Sequence, residues 1–190
     1  MTNDILEQLA EDYFRHLGYF TQHNVKYKPN KLGPAYAVHS DVDLVGVHPK
    51  KKGVERVVVV SCKSWHGGLH LARHLKDIKN NNKKIKKTFR EIALPIWSKA
   101  LKQKIKTLTG QNRFVFFIVS VSYAPKQKGI WENYSKFIHN LSGCPIRLLD
   151  MKTIVQEVSR TASNITPAHS ELARLLQMIY HSRGKITYGK

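Results

Sequence analysis

Two charged side chains fall where the sequence otherwise predicts buried strands. Asp43 lies between the apolar residues Val42 and Leu44 of a predicted strand, and Lys63 closes the stretch that begins with four valines at 57–60. If these strands are hairpin neighbours, Asp43 can meet Lys63 across the pair. Ser61 shares the face of Lys63, because side chains two apart in a strand point the same way. A buried carboxylate and ammonium are costly unless they have a partner or a task, so they form a structural ion pair or act on a charged ligand.

The charge balance indicates what such a ligand would be. The 190 residues include 32 Lys and Arg against 13 Asp and Glu, which gives a net charge of +19 and a pI near 10.0. This excess favours a polyanion over a neutral metabolite. It is concentrated at 73–106, where 12 basic residues accompany two acids. A solvated helix face is the alternative, but phosphate contact is favoured here. The candidate contacts are Arg73, Lys83, Lys84, Lys86, Lys87 and Arg90.

Composition excludes several classes of protein. Hydrophobic residues make up 42% of the chain, which is enough for a packed core and argues against disorder. Two cysteines, Cys62 and Cys144, are too few for a disulfide scaffold and predict free thiols in a reducing cytoplasm. The longest apolar run, 114–119, is too short to span a membrane, and the acidic N-terminus does not resemble a secretory signal. We therefore expect a cytoplasmic protein without a membrane partner.

Hydrophobic periodicity predicts an α/β fold with a mixed sheet, in which the first three strands form an antiparallel meander. A long helical region at 69–108 should be divided at Pro95, and Thr166-Pro167 is a good helix start. The predicted strands are 19–27, 38–47, 56–62, 113–122 and 146–149. The other predicted helices are 4–17, 130–141 and 151–158.

The site residues and this order of elements resemble the PD-(D/E)xK nuclease superfamily, whose restriction endonuclease-like core runs helix, three strands, helix, strand. The resemblance covers about residues 4–121. Asp43 matches the strand aspartate of the family, and Lys63 matches its lysine. Glu7 matches the glutamate of the preceding helix, which ends here in the Leu-Gly-Tyr sequence of the restriction-type branch at 17–19.

The resemblance implies a site for Mg²⁺ or Mn²⁺, because carboxylates and carbonyls are the hard oxygen ligands that these ions prefer. Such ions offset the repulsion between a phosphodiester and an attacking hydroxide. Asp43, Glu7 and the backbone carbonyl of Cys62 would hold the metal. Lys63 would orient the attacking water and stabilise the charge that develops on phosphate.

Several assignments have alternatives. The family usually has Glu or Gln where this chain has Ser61, and a hydroxyl is a poorer metal ligand. Members with Ser-x-Lys recruit an acid from the following helix, and Asp77 could serve in that way. Glu11 competes with Glu7 on the first helix. Asp41 could be a second strand ligand, but an acid at the edge of a turn is the simpler interpretation.

Residues just after Lys63 offer weaker signals. His66, His70 and His74 have the spacing of a metal-binding helix face, but no accompanying Cys or carboxylate motif is present. We expect a phosphate-facing or solvated helix edge rather than zinc. Trp65 could stack on a base or be an aromatic residue of the core or rim.

The leading hypothesis is a Mg²⁺-dependent DNA endonuclease of a restriction, defence or recombination type. The catalytic core would be 1–122, including the basic region 69–108, and 123–190 would complete the same domain. Cleavage of double-stranded DNA would imply a homodimer, because one site cuts one strand. The alternative is a non-catalytic nucleic-acid-binding module on a degenerate nuclease fold. A ribosome-associated RNA-binding protein fits the charge but not the paired strand residues.

Overall fold

The computed structural model describes residues 4–29, 39–162 and 170–183. Within these ranges the chain forms five strands and nine α-helices. The strands are β1 (Phe20–Tyr27), β2 (Ser40–Val47), β3 (Val57–Lys63), β4 (Val115–Ser120) and β5 (Ile146–Asp150). The helices are α1 (Ile5–His16), α2 (Leu71–Lys79), α3 (Lys83–Thr88), α4 (Arg90–Ala93), α5 (Pro95–Thr109), α6 (Lys128–Glu132), α7 (Ser135–Asn140), α8 (Met151–Ala162) and α9 (Glu171–Arg183).

The five strands form one mixed sheet in the order β1-β2-β3-β4-β5. β1, β2 and β3 pair antiparallel, whereas β4 and β5 are parallel to β3. A parallel pair needs a long crossover, and the helices α2 to α5 supply it between β3 and β4. The predicted α/β class, the mixed sheet and the antiparallel meander are confirmed.

The sheet is covered on both faces, and β3 contributes to both. Val57 and Val59 pack in a cluster with residues of α2, α4 and α5, such as Leu101. Val58 and Val60 pack in a second cluster with α1 and α8. All four valines are almost completely buried, as the uninterrupted apolar run predicts for a strand between two layers. The end of β3 is therefore fixed between helices from both sides.

The region 69–108 differs most from the prediction. Pro95 does mark a boundary, since it lies in the first turn of α5. Two more breaks divide the region. The side chain of Asn82 caps α3 by accepting hydrogen bonds from two backbone N–H groups, and Asn81 has a φ of 60°. Phe89 is buried between α3 and α4. The run of three asparagines at 80–82 is the turn signal that the helical interpretation overlooked.

Other sequence expectations have mixed outcomes. The helix predicted at 130–141 is two short helices, α6 and α7. The helix start at Thr166-Pro167 lies outside the described residues. Cys62 and Cys144 are both free thiols, as predicted. Among the helices described, none has the length and apolar character needed to cross a membrane.

The loop that follows β3 is clamped to the end of β4. Gly68 donates its backbone N–H to the Trp65 carbonyl at 2.8 Å, and the next N–H, of Leu69, bonds to the Ser122 carbonyl at 2.7 Å. Gly68 has a φ of +73°, and a Cβ there would lie 2.8 Å from the Ser122 carbonyl oxygen. Both the backbone conformation and the available space therefore require glycine.

Replacing this glycine should destabilise the protein beyond the cost of its backbone angle alone. Gly110→Ala provides the control, because Gly110 has a φ of +72° and nothing lies within 4 Å of a Cβ there. We expect Gly110→Ala to lower the free energy of unfolding by about 1 kcal/mol. Gly68→Ala should lower it by about 1–3 kcal/mol more, because of the added clash with Ser122. Urea unfolding measures both, and equal losses would contradict the close approach to Ser122.

Candidate active site

The candidate site lies at one edge of the sheet. β1 and β2 pair with Tyr27 opposite Ser40, and β3 ends at Lys63, so the end of β1, the start of β2 and the end of β3 meet there. The β1–β2 pairing omits Asn24 and Asp43 although it includes their neighbours, and Asn24 has a φ of 50°. Local backbone distortion of this kind clusters at functional sites, where a side chain must be aimed.

Asp43 is held by the backbone of β3. Its Oδ2 atom accepts a short hydrogen bond from the Cys62 N–H. Burial raises the pKa of Asp43, whereas that hydrogen bond and the charge of Lys63 oppose the rise. Among the described ion pairs, none joins Asp43 to Lys63 within 4.0 Å. The charge of Lys63 therefore acts on Asp43 without the contact ion pair of the structural alternative.

Lys63 is fixed by a neutral partner. Its Nζ atom donates a hydrogen bond to the Ser61 Oγ atom at 2.8 Å, and Ser61 is almost completely buried. The same ammonium lies 5.8 Å from the centre of the Phe89 ring, within range of a cation–π contact. The shared face of Ser61 and Lys63 is confirmed. The hydroxyl at position 61 thus orients the lysine at this edge.

The first helix supplies one acid to the site and a second acid to the scaffold. Burial and the neighbouring Asp43 carboxylate raise the pKa of Glu7, so these two acids repel each other. Glu11 instead accepts a hydrogen bond from Thr21 at 2.8 Å and pairs with His23 at 2.7 Å. These contacts tie α1 to β1. Glu7, rather than Glu11, is therefore the acid that α1 places beside Asp43.

A third acid, Glu91, approaches the site from α4. It is only 5% exposed, and burial raises its pKa, although the charge of Lys63 opposes that rise. Asp43 raises it further. The α4 backbone is anchored there because Ser98 donates its hydroxyl to the Glu91 carbonyl at 2.7 Å. In the sequence, Glu91 is one of the two acids of the basic region 73–106. A lone acid immediately before the apolar residues 92–94 was the signal of burial.

Asp77, the acid that could be recruited from the following helix, is not among the described residues whose charges act most strongly on Asp43, Glu7 or Glu91. It lies on α2, where its charge acts on His74. Glu91, farther along the chain on α4, instead interacts with the charge of Lys63. The breaks on either side of α3 change the direction of the chain and allow α4 to pack near the end of β3. Asp41 is exposed at the start of β2, in keeping with an acid at the edge of a turn, and its charge still acts on Asp43.

The aromatic residues near Lys63 form a packed rim. Trp65 is half-buried, with its ring centre 5.0 Å from that of His74 and 6.0 Å from that of Phe89. His74 is only 8% exposed, and burial lowers its pKa. The expectation of a solvated or phosphate-facing edge is therefore wrong for His74, which packs inward, whereas His66 and His70 are exposed. Base stacking on Trp65 stays a prediction.

The predicted nucleic-acid contacts divide into free and engaged side chains. Arg90 is engaged, since its guanidinium lies 5.0 Å from the centre of the Trp97 ring and donates to the Lys87 carbonyl at 3.0 Å. Lys86 donates to the side chain of Asn81. Solvent-exposed side chains remain at Arg73, Lys83, Lys84 and Lys87. The exposed part of this set is compatible with phosphate contact.

The donor types at this edge fit a hard divalent cation. Asp43, Glu7 and Glu91 offer carboxylate oxygens, whereas burial and the nearby Asp43 and Glu7 carboxylates raise the pKa of the Cys62 thiol and keep it protonated. Within the described residues, no group of three or more His, Cys, Asp or Glu side chains is placed to hold a metal. Mg²⁺ typically uses one or two carboxylates together with water and substrate phosphate. The carboxylates therefore offer hard oxygen donors, but the described residues do not form a complete metal cage.

Comparison of the chain with protein-family models, curated proteins and solved structures finds no match. Its function must therefore be inferred from the side chains and the geometry of this edge.

Removing a site carboxylate should stabilise the protein without divalent metal. The folded pKa of Asp43 is raised, so ionisation costs stability as the pH rises from the ordinary carboxyl range through that folded pKa. Asp43→Asn removes this cost, and its amide oxygen can still accept the Cys62 N–H. We expect the melting temperature at pH 8 to rise by about 2–4 °C for each kcal/mol relieved, and the advantage over the wild type to vanish near pH 4.

Asp77→Asn is the matched control for that measurement, since it removes the same charge away from the site. The charge of Asp77 acts on His74, so the variant can change the pH dependence of the melting temperature in the histidine range, but it should not give the gain at pH 8 that Asp43→Asn gives. Added Mg²⁺ should stabilise the wild type more than Asp43→Asn. A variant that is less stable than the wild type at pH 8, with no difference in its response to Mg²⁺, would contradict the electrostatic repulsion described here.

Proposed function

We propose that the protein is a metal-dependent endonuclease that hydrolyses phosphodiester bonds in DNA, on a restriction endonuclease-like core. One observation carries the proposal: Asp43 is bound to the backbone of Cys62 while its charge interacts with Lys63, Glu7 and Glu91. The order of elements supports it, since α1 precedes three antiparallel strands and β4 pairs parallel to β3 after a helical crossover.

Each side chain has a role in this proposal. When bound, Mg²⁺ supplies positive charge that offsets phosphate repulsion and lowers the pKa of a coordinated water. Asp43, Glu7 and the Cys62 carbonyl would hold the ion. Glu91 would supply the carboxylate that the family has at the position of Ser61. Carboxylates that repel one another in the absence of metal favour a cation between them, because the cation removes that repulsion.

Lys63 would act on the substrate. Its ammonium can hydrogen-bond the attacking water or a phosphate oxygen, and its charge favours the negative charge that grows in the transition state. Ser61 is a positioning residue, because it holds the Lys63 Nζ atom at 2.8 Å and touches no substrate in this scheme. A neutral acceptor leaves the full charge of the lysine available for the phosphate.

The substrate class follows from charge. A net charge of +19 and the exposed lysines of α3 favour a phosphate backbone, and they carry no visible base preference. Cleavage of both strands of a duplex would require two sites, and hence a homodimer.

A non-catalytic nucleic-acid-binding module is the second candidate. It is favoured by the buried serine at position 61 and by the lack, among the described residues, of a grouped set of three metal donors. This module would bind DNA with ordinary salt dependence and would show no cleavage that Mg²⁺ or Mn²⁺ stimulates.

Plasmid cleavage tests the nuclease directly. The wild type should nick or cut plasmid DNA with Mg²⁺ or Mn²⁺ and should stop when EDTA is added. Asp43→Ala should be inactive, and Lys63→Ala should lose about 10²–10³-fold in rate, which is the usual loss when a donor to the transition state is removed. Agarose gels of a time course give the rates. Equal cleavage by all three proteins would indicate a contaminating nuclease and reject the assignment.

The role of Glu91 is tested by its amide variant. We expect Glu91→Gln to lower the cleavage rate about 10-fold or more and to raise the Mn²⁺ concentration needed for half-maximal cutting, because a ligand to the metal is lost. Asp77→Asn should behave like the wild type in both respects. If Asp77→Asn is impaired and Glu91→Gln is not, the recruited acid is the one the sequence first suggested.

A further inference from the structure

A groove lies between the end of β1 and the outer face of α5. Its volume is about 380 Å³, and its apolar floor includes Tyr27, Ile96 and Ala100. Tyr27 is buried, with its ring centre 6.0 Å from that of Trp97, whereas Ile96 is 41% exposed. The Tyr27 side of the floor is therefore fixed by packing, and the Ile96 side exposes apolar surface to solvent.

Three lysines surround this floor. Lys28 comes from the end of β1, and Lys99 and Lys104 come from α5, so two elements separated along the chain bring positive charge to one cavity. All three side chains are exposed. Of the described residues that line the groove, none is acidic. A bound anion reduces the repulsion between positive charges that face one cavity without a counter-charge. Three lysines in one groove suit a ligand with several successive negative groups, such as a phosphate backbone.

The groove opens at the same edge of the sheet as the candidate site. Tyr27 is the last residue of β1 and pairs with Ser40 at the start of β2, three positions before Asp43. Burial raises the pKa of the Tyr27 phenol, and the charge of Glu91 raises it further. Tyr27 is therefore within electrostatic reach of Glu91. A strand that passes through the site can thus continue into the groove.

We infer that this groove binds the sugar–phosphate backbone of the DNA strand that flanks the scissile bond. The lysines contact successive phosphates, and the apolar floor receives the deoxyribose between them. The ligand class rests on the proposed function. Lys28 lies outside the basic region 73–106 that the sequence indicated, and Lys99 and Lys104 lie within it but are not among the contacts predicted there.

The test is the salt dependence of binding, measured by fluorescence anisotropy with a labelled duplex of mixed sequence in EDTA, so that no cutting occurs. The groove variant replaces Lys28, Lys99 and Lys104 with Gln. The control variant replaces Lys50, Lys52 and Arg56 with Gln and so removes the same net charge. These three exposed residues lie at the opposite end of β2 and β3. Thermal unfolding confirms that both variants fold.

The loss of three phosphate contacts should reduce the slope of log K against log salt by about 2–3 for the groove variant, whereas the control should keep nearly the wild-type slope. An unchanged slope in the groove variant, or an equal reduction in the control, overturns the inference. Single-stranded DNA and duplex RNA serve as further probes. A reduction seen only with RNA overturns the assignment to DNA.

Cleavage assays on the same preparations separate the two proposals. If the wild type never cuts DNA but the groove variant has a reduced slope of log K against log salt, the nuclease proposal is rejected and the groove remains a nucleic-acid-binding site. A wild type that cuts with Mg²⁺ while the groove variant binds and cuts normally rejects the groove and leaves the nuclease.

Discussion

Repulsion between carboxylates that are partly removed from water is the constraint on which the candidate site depends. Asp43 is mostly enclosed, and its charge acts on Glu7 from α1 and on Glu91 from α4. Around Asp43, the charge of Lys63 and the hydrogen bond from the Cys62 N–H oppose the effect of burial. Each acid alone would turn toward water. The fold holds them together because β2, α1 and α4 are packed in the apolar clusters, through residues such as Leu44, Leu9 and Ile92.

That packing comes from the two apolar layers. β3 is buried on both faces by its four valines, so its end cannot shift toward either layer without exposing core residues. α1 presses on one side through Leu9 and Phe14, and α4 lies on the other through Ile92. The acids therefore project from rigid elements rather than from loops, which is the arrangement that keeps a charged site at fixed geometry.

The sequence was informative where a residue contradicted its own surroundings. Asp43 stands out because an acid is rare inside an apolar strand, and Lys63 because it ends a strand that begins with four buried valines. Local patterns gave the five strands, since alternation and β-branched runs are decided by nearest neighbours. The place of Glu91 could not be predicted in the same way. It depends on how the short helices α3 and α4 turn in space, and the charge pattern of 69–108 masked both turns.

The distorted position of Asn24 has a consequence for assembly. β1 is one of the two outer strands of the sheet, and a regular, flat outer strand invites another copy to extend the sheet by main-chain pairing. Asn24, in the middle of β1, has a left-handed backbone conformation that makes the strand irregular, and the exposed Lys26 adds a charge to it. Continuous sheet extension through β1 is thereby disfavoured.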